Sequence, residues 1–275
     1  MKNLFKVTAL LGICAVSLGL SSCGSDDTII IGTMAQPGQP ILEHIKDEFE
    51  EKTDYKLEIQ IFTDFATPNN ALAAGEIDAN LFQHAPFLET YNTNNNTTLE
   101  TACIMYDCAY GAYSKKVKTV DAIPNGAKIT IANDASNMKR CLDLLDVLGL
   151  IKVDYGTTAS SDLNPNNVND YITSNEKNLI ISPISTSLIA SSLNDQDVYL
   201  GIVNATFAIA ANLGTTSNLL GKESDPTHKN ANIVAIRSED RDAEWKNTLV
   251  EILTSSETDT FVNDTFGSVI TPYHG

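Results

Sequence analysis

The sequence predicts an α/β protein with two lobes. Its 275 residues suit two domains of ordinary size better than one. The β-branched run Ile29–Ile31 predicts a buried strand, and the alternation of apolar and polar residues over 57–61 predicts a second strand. Between them, apolar residues at helical spacing over 41–49 predict a helix. A strand, a helix and a strand in this order favour a parallel sheet.

The amino terminus predicts a signal peptide over residues 1–22. Lys2 and Lys6 precede the apolar stretch Val7–Leu20, and the small residues Ser21 and Ser22 stand before Cys23. The apolar stretch is too short to span a bilayer. We expect cleavage before Cys23 and attachment of lipid to its thiol, which gives a stable membrane anchor. The alternative is an ordinary secretory signal followed by an incidental cysteine.

The composition argues against several classes of partner. The chain carries 18 Lys and Arg against 35 Asp and Glu, a formal net charge of −17. Such a charge makes nucleic acid an unlikely ligand. It also repels anionic lipid, so membrane attachment requires the covalent anchor.

Three cysteines, Cys103, Cys108 and Cys141, remain in the body of the chain. Cys103 and Cys108 lie in or beside the segment 104–113, which reads as extended. Five positions along one strand exceed the Cα separation that a disulfide accepts. We expect all three to be small buried hydrophobic residues.

The segment 69–87 contains a helix end, a strand and a polar-aromatic loop. Thr67 is a candidate helix cap, Pro68 suits the first turn, and Gly75 provides a helix stop. A short strand is predicted over 77–81, and Pro86 opens the next helix. The residues between strand and helix then lie at a strand terminus, where open α/β sheets bind ligands. They are Phe82, Gln83, His84, Ala85, Pro86 and Phe87.

The remaining elements predict a passage to a second lobe and a return. The chain crosses near 106–113, and the return strand is 233–236. The predicted limits are 23–108 for the first part of lobe 1, 109–232 for lobe 2 and 233–275 for the rest of lobe 1. The other predicted elements are strands near 129–131, 179–181 and 198–203, a helix over 137–148 capped by Ser136 and ended by Gly149, a loop over 155–169, and helices near 245–253 and 257–263.

Arg140 marks a candidate anion site. It is predicted near the first turn of the helix after Asn137, where a cation is unfavourable unless an anion joins it. A carboxylate bound by Arg140, Asn137 and backbone donors would satisfy this requirement. The alternative is a surface ion pair with Asp134 or Asp143.

The motif content argues against catalysis and metal capture. The sequence contains no G-x-S-x-G, H-E-x-x-H or C-x-x-C motif and no phosphate-binding glycine-rich loop. Its four histidines are scattered, whereas a zinc site gathers several. We expect a binding protein, not an enzyme, without metal or cofactor. A surface interaction lipoprotein with no small ligand is the alternative.

Several motifs resemble those of the NlpA/MetQ family, the methionine-binding lipoproteins of bacterial ABC importers. The strongest is G-E-I-D-A-N-L-F-Q-H at 75–84. F-T-D-F at 62–65, Y-S-K-K at 113–116, Asn133-Asp134 and A-N-I at 231–233 follow the family's order. The resemblance implies a two-lobed fold like type II periplasmic binding proteins, each lobe a mostly parallel sheet flanked by helices, with the ligand cleft between the lobes.

The resemblance also implies a site and partners. It implies a protein lipid-anchored at Cys23, facing the periplasm or the cell exterior, that binds methionine or a close analogue. The partners are then an ABC permease and its ATPase. The implied ligand-binding residues are Phe65, Phe82, His84, Phe87, Asn137, Arg140, Asn204 and Asn232.

Two departures from the family pattern concern the ligand. Met138-Lys139 replaces a usual Gly-Gly pair, and Phe65 and Phe87 stand at positions that are commonly Tyr. If Lys139 points inward, it favours a ligand with an extra acceptor, such as a methionine-containing dipeptide. If it points to solvent, it has no part in binding.

Overall fold

The computed structural model describes residues 28–275. The predicted signal peptide and Cys23 lie outside these residues. Along the chain the elements are β1 (Thr28–Met34), α1 (Gly38–Lys52), β2 (Lys56–Phe62), α2 (Pro68–Ala73), β3 (Ala79–His84), α3 (Ala85–Asn95), β4 (Glu100–Cys108), β5 (Tyr110–Ser114), β6 (Lys128–Ala132), α4 (Ala135–Val147), β7 (Lys152–Val153), β8 (Ile172–Ser174), β9 (Ile180–Ile184), α5 (Thr186–Ser192), β10 (Val198–Asn204), α6 (Ala205–Ala210), α7 (Leu213–Thr216), β11 (Asn218–Lys222), β12 (Asn232–Ile236), α8 (Glu244–Leu253), α9 (Ser256–Phe266) and β13 (Ile270–Pro272).

Two sheets form the two lobes, which confirms the predicted α/β two-lobed fold. The first sheet has the order β13-β4-β12-β3-β1-β2, and the second has the order β11-β5-β10-β6-β9. We propose that each lobe is built around one of these two sheets. The chain passes from the first sheet to the second at Ala109, and it returns through 223–231.

The prediction that the sheets are mostly parallel is wrong, because both sheets are mixed. β1 is parallel to β2 and β3, and β6 is parallel to β9 and β10. By contrast, β12 returns from the second lobe and lies between β3 and β4, antiparallel to both. β5, which starts just after the first crossing, is antiparallel to β10 and β11. Strands that follow helical crossovers are therefore parallel, whereas those next to the interlobe connections are not.

Strand β3 begins and ends later in the chain than the predicted strand over 77–81. The strand runs to His84, so Phe82, Gln83 and His84 are its last residues instead of a loop after it. Pro86 stands in the first turn of α3, as predicted. Thr67 occupies the cap position of α2 without a side-chain capping bond, and Gly75 takes a positive φ of 74° just after the helix. These three residues therefore lie on a backbone that the sheet holds in place.

Helix α4 begins earlier than predicted. Its cap is Asp134, whose carboxylate accepts from the Asn137 N–H at 3.0 Å, so Ser136 is not the cap. Gly149 follows the helix with φ 71°. This start places Arg140 in the second turn, which removes the predicted proximity to free N–H groups of the first turn.

The prediction of three buried cysteines is confirmed for Cys108 and Cys141 but not for Cys103. Cys103 and Cys108 lie on the same strand, all three thiols are free, and Cys108 and Cys141 are buried while Cys103 is half-buried. Within residues 28–275, every helix is too short or too polar to cross a membrane.

Candidate functional site

A small cavity lies where the carboxyl end of β3 meets helices α4 and α6 of the other lobe. Its volume is about 10 Å³, about the space that one water molecule needs. Every predicted ligand-binding residue lines it except Arg140, and Gln83 is an addition that the predicted set lacked. The lining residues are Phe65, Phe82, Gln83, His84, Phe87, Asn137, Asn204 and Asn232. Because they come from both lobes, the cavity is an interlobe site.

Phenylalanine rings form the apolar wall of the cavity. Phe65 has its ring centroid 5.7 Å from that of Phe82 and 6.3 Å from that of Phe87, and the latter two are 5.9 Å apart. Phe207 of α6, which the sequence analysis missed, lies 5.0 Å from Phe65. Its only signal was an apolar segment directly after Asn204. The aromatic cluster therefore joins the lobes as well as lining the site.

His84 connects the two lobes through its ring. Its Nδ1 accepts from the Phe87 N–H at 3.2 Å, which caps α3 and places the ring proton on Nε2. Nε2 then donates to Asn137 Oδ1 at 2.9 Å, across the cleft. Burial, followed by the charge of Arg140, lowers the pKa of His84 to about 3. The imidazole is therefore neutral at physiological pH.

Asn137 uses its hydrogen-bonding groups mainly within the protein. Its Oδ1 accepts from His84, and Arg140 Nη1 lies 3.5 Å from the same oxygen. Its Nδ2 donates to Asp134 at 3.1 Å. One N–H of the amide remains for the cavity.

Arg140 is paired with Glu223, a residue that the sequence analysis did not consider. Its Nε and Nη2 donate to the two carboxylate oxygens at 2.8 and 2.6 Å, and Nη2 also donates to the Cys108 carbonyl at 2.9 Å. The two side chains are 6% and 13% exposed. Burial lowers the pKa of Arg140, but the bonds and charge of Glu223 more than offset this and raise it. Among the described residues, neither Asp134 nor Asp143 forms the ion pair offered as the alternative.

Asn204 and Asn232 complete the polar part of the lining. Asn204 caps α6 by accepting from the Thr206 N–H at 3.0 Å. Asn232 lies in β12, opposite His84 on one side and Tyr106 on the other. Its side chain lines the cavity and also adjoins the buried Tyr106 hydroxyl.

Gln83 belongs to a buried amide cluster with Asn69 and Asn80. Gln83 and Asn69 exchange two hydrogen bonds, of 2.6 and 2.7 Å. Asn80 donates to Asn69 at 2.9 Å and accepts from Gln83 at 2.8 Å. The three residues are at most 3% exposed. This amide cluster ties α2 to β3 and thereby fixes the floor of the cavity.

Lys139 points away from the cavity. Its Nζ is 2.8 Å from Asp143 Oδ2 and 4.3 Å from the centre of the Tyr155 ring. Lys139 instead lines a larger, open space of about 420 Å³ on the far side of Arg140. Several charges around that space are already paired, so it is less suited to an apolar amino acid than the aromatic cavity. Within residues 28–275, no three His, Cys, Asp or Glu side chains are grouped to bind a metal.

Known proteins are similar to this chain in sequence and fold. The model of a family described as NlpA lipoprotein matches residues 29–273. The D-methionine-binding lipoprotein MetQ of Salmonella typhi is 30% identical over 266 residues, which cover 95% of this chain and 96% of that protein.

Solved structures agree with these matches. A nutrient binding protein from Burkholderia cenocepacia bound to methionine is 32% identical with a TM-score of 0.81, covering 89% of this chain and 99% of that one. A periplasmic substrate-binding protein of an ABC transporter from Coxiella burnetii is 31% identical with a TM-score of 0.79, covering 89% and 100%. The chain belongs to the NlpA lipoprotein family.

Proposed function

We propose that this protein is the substrate-binding component of a bacterial ABC importer and that its ligand is methionine or a close analogue. The observation that carries the proposal is the interlobe cavity, which has an apolar aromatic wall and a polar amide side. Such a division suits an amino acid whose backbone is polar and whose side chain is apolar. A thioether gains further from contact with aromatic rings. The names of the relatives favour the same ligand.

The lining residues divide into two roles in this proposal. Phe65, Phe82 and Phe87 pack against the ligand side chain, while the amides and His84 fix its backbone. Arg140 acts from behind Asn137, where its Nη1 has only one long contact, at 3.5 Å, and provides positive charge for the ligand carboxylate. If the lobes follow the proposed limits 23–108, 109–232 and 233–275, with Asn232 moved to lobe 1 as the first residue of β12, these residues stand on both sides of a closing cleft.

The size of the cavity and the position of Lys139 bear on the ligand's identity. At about 10 Å³ the cavity must enlarge to admit any ligand, which the proposed opening of the lobes would allow. Because Lys139 pairs with Asp143 outside the cavity, it offers no contact for an extra acceptor. The position of Lys139 therefore gives no reason to prefer a methionine-containing dipeptide over a single amino acid.

Calorimetry with both enantiomers of methionine, norleucine and a methionine dipeptide tests the proposal. We expect saturable binding of methionine, weaker binding of norleucine and little binding of the dipeptide. Phe87→Ala should weaken binding, whereas Phe261→Ala on α9 serves as a control remote from the cavity. The alternative, an interaction lipoprotein without a small ligand, predicts no saturable heat with any amino acid. Mass spectrometry of ligand retained through mild purification gives an independent answer.

The proposed location follows from the amino terminus. A lipid on Cys23 would hold the protein at the membrane, facing the periplasm or the cell exterior, where it delivers ligand to a permease driven by its ATPase. The ligand leaves chemically unchanged, so the role is binding and not catalysis.

A further inference from the structure

We propose that Tyr273, the residue after β13, is a positioning residue for the movement of the lobes. Through the ring of His228 it holds the return crossing, 223–231, against lobe 1. The hinge clamp consists of Asp107, His228 and Tyr273. Its effect on ligand affinity rests on the proposed function, whereas its effect on the rigidity of the crossing does not.

His228 is held from two sides. Its Nδ1 donates to Asp107 Oδ2 at 2.7 Å, because a carboxylate accepts. Its ring stacks on the Tyr273 ring, with centroids 3.9 Å apart and planes 14° apart. Asp107 lies in β4 and pairs with Thr271 of β13, so both strands belong to the first sheet. His228 therefore lies on the connection between the lobes, but its contacts tie it to lobe 1.

Tyr273 is itself fixed to the first sheet. Its backbone N–H donates to the Met105 carbonyl at 3.0 Å, which continues the pairing of β13 with β4. The next residue, His274, contacts the Ile104 carbonyl at 3.0 Å through Nδ1 and Asp259 of α9 at 2.8 Å through Nε2. The stacked tyrosine ring thus stands on a backbone that is anchored on both sides.

The turn around His228 is held together by its own hydrogen bonds. His228 takes a positive φ of 55°, which is uncommon for a residue with a side chain. The Asp225 carboxylate accepts from the Asn230 N–H at 2.9 Å, and the Ala231 N–H donates to the His228 carbonyl at 2.9 Å. Contacts that hold His228 therefore hold the whole turn.

The first residue of the return crossing is instead fixed to lobe 2. The Glu223 N–H donates to the Tyr110 carbonyl at 2.8 Å, and the Glu223 carboxylate accepts from the Tyr110 N–H at 3.0 Å and from Arg140 of α4 at 2.8 Å. Glu223 thus moves with lobe 2, whereas the turn from Asp225 onwards moves with lobe 1. The bending of the return crossing is concentrated at Ser224, between them.

A hinge that bends at one residue limits the positions that the lobes can take. Without the hinge clamp the turn 225–231 would gain freedom, and closure on a ligand would have to remove it. A segment that is ordered in advance lowers this cost and so raises affinity. The side chains of Asp107 and His228 are each about a third exposed, so their ion pair contributes little to the stability of the fold.

Two substitutions release His228 from opposite sides. Tyr273→Ala removes the stacked ring, and Asp107→Ala removes the acceptor. We expect each to weaken methionine binding in calorimetry by at least about threefold, the order expected for one additional segment to be ordered. Tyr273→Phe keeps the stacked ring and should bind as wild type does. Because both alanine substitutions release the same ring, the double variant should lose less than the product of the two single losses.

Phe261→Ala is the matched control, because Phe261 of α9 stacks on His44 of α1, with ring centroids 4.1 Å apart. It removes a similar stack outside the crossings and should leave affinity unchanged. Amide hydrogen exchange, read by mass spectrometry, reports the rigidity of the return crossing without any ligand. A peptide over 225–231 should exchange at least about threefold faster in Tyr273→Ala than in wild type, and at the wild-type rate in Phe261→Ala.

Unchanged affinity or unchanged exchange over 225–231 in Tyr273→Ala would overturn the proposal, as would equal losses in Tyr273→Phe or Phe261→Ala. If Tyr273→Ala does not fold, Asp107→Ala decides by the same two measurements. If wild-type protein binds no methionine, the proposed function fails, and the exchange over 225–231 then decides the role of the hinge clamp by itself.

Discussion

Replacing Glu223 by Gln should destabilise the protein by about 3–5 kcal/mol, the usual cost of breaking a buried ion pair by removing one charge. Glu223 accepts from Arg140 at 2.8 and 2.6 Å and from the Tyr110 N–H at 3.0 Å. Glutamine retains only one acceptor oxygen, and its NH₂ group then faces donors. The guanidinium, 6% exposed, remains charged without its counter-ion.

Asp143→Asn is the matched control, because Asp143 pairs with Lys139 on α4, the helix that also carries Arg140. The Lys139–Asp143 pair has the same charges, but its side chains are 32% and 44% exposed. Water solvates the remaining charge there, so we expect the free energy of unfolding to fall by less than about 1 kcal/mol. Urea unfolding of the ligand-free proteins, followed by circular dichroism, gives both free energies. Equal destabilisation by the two substitutions would show that burial of the Arg140–Glu223 pair does not govern its contribution.

Four further results are expected. Arg140→Ala should destabilise the fold, because it leaves Glu223 buried without its counter-ion, and in the protein that stays folded it should weaken methionine binding by roughly 2–5 kcal/mol; near-normal affinity by calorimetry would exclude a binding role. The pKa of His84 is about 3 in the folded protein, against an ordinary value of 6.5, so only the unfolded chain gains this proton as pH falls from 6.5 towards 3. This proton uptake should lower the free energy of unfolding by about 1.4 kcal/mol per pH unit in that window, and denaturant titrations should show that His84→Gln lacks this slope. Ligand should reduce the radius of gyration in small-angle scattering, and an unchanged profile at saturation would argue against closure. Cys23→Ser should yield soluble protein with unchanged affinity, whereas retention in carbonate-washed membranes would contradict the proposed anchor.

The sequence was informative wherever a pattern was local. The alternation in 57–61 and the apolar run at 29–31 predicted β2 and β1, since each depends only on neighbouring side chains. Boundaries were less certain because adjacent residues compete for one role. Asp134 and Ser136 are both good caps, and the exact start of α4 decides between them.

Long-range pairing was hidden from the sequence. Glu223 lies 83 positions after Arg140, and no spacing rule links them. Likewise, Ile233–Ile236 shows that a strand exists but not that it enters between β3 and β4 in the antiparallel sense. The cavity set was nearly complete because the resemblance supplied it. The resemblance did not mark Gln83, which lines the cavity, or Phe207, which packs against Phe65.

The amide cluster limits how the site can change during evolution or design. The side chains of Asn69, Asn80 and Gln83 hydrogen-bond to one another away from water. Replacing any one by an apolar residue would therefore leave the amides of the other two with unmade hydrogen bonds. The phenylalanine side chains make no hydrogen bonds, so their replacement leaves no partner unpaired and changes only the shape of the cavity wall. New ligand preferences should therefore arise first by exchange at Phe65 and Phe87, while the amides behind them remain as they are.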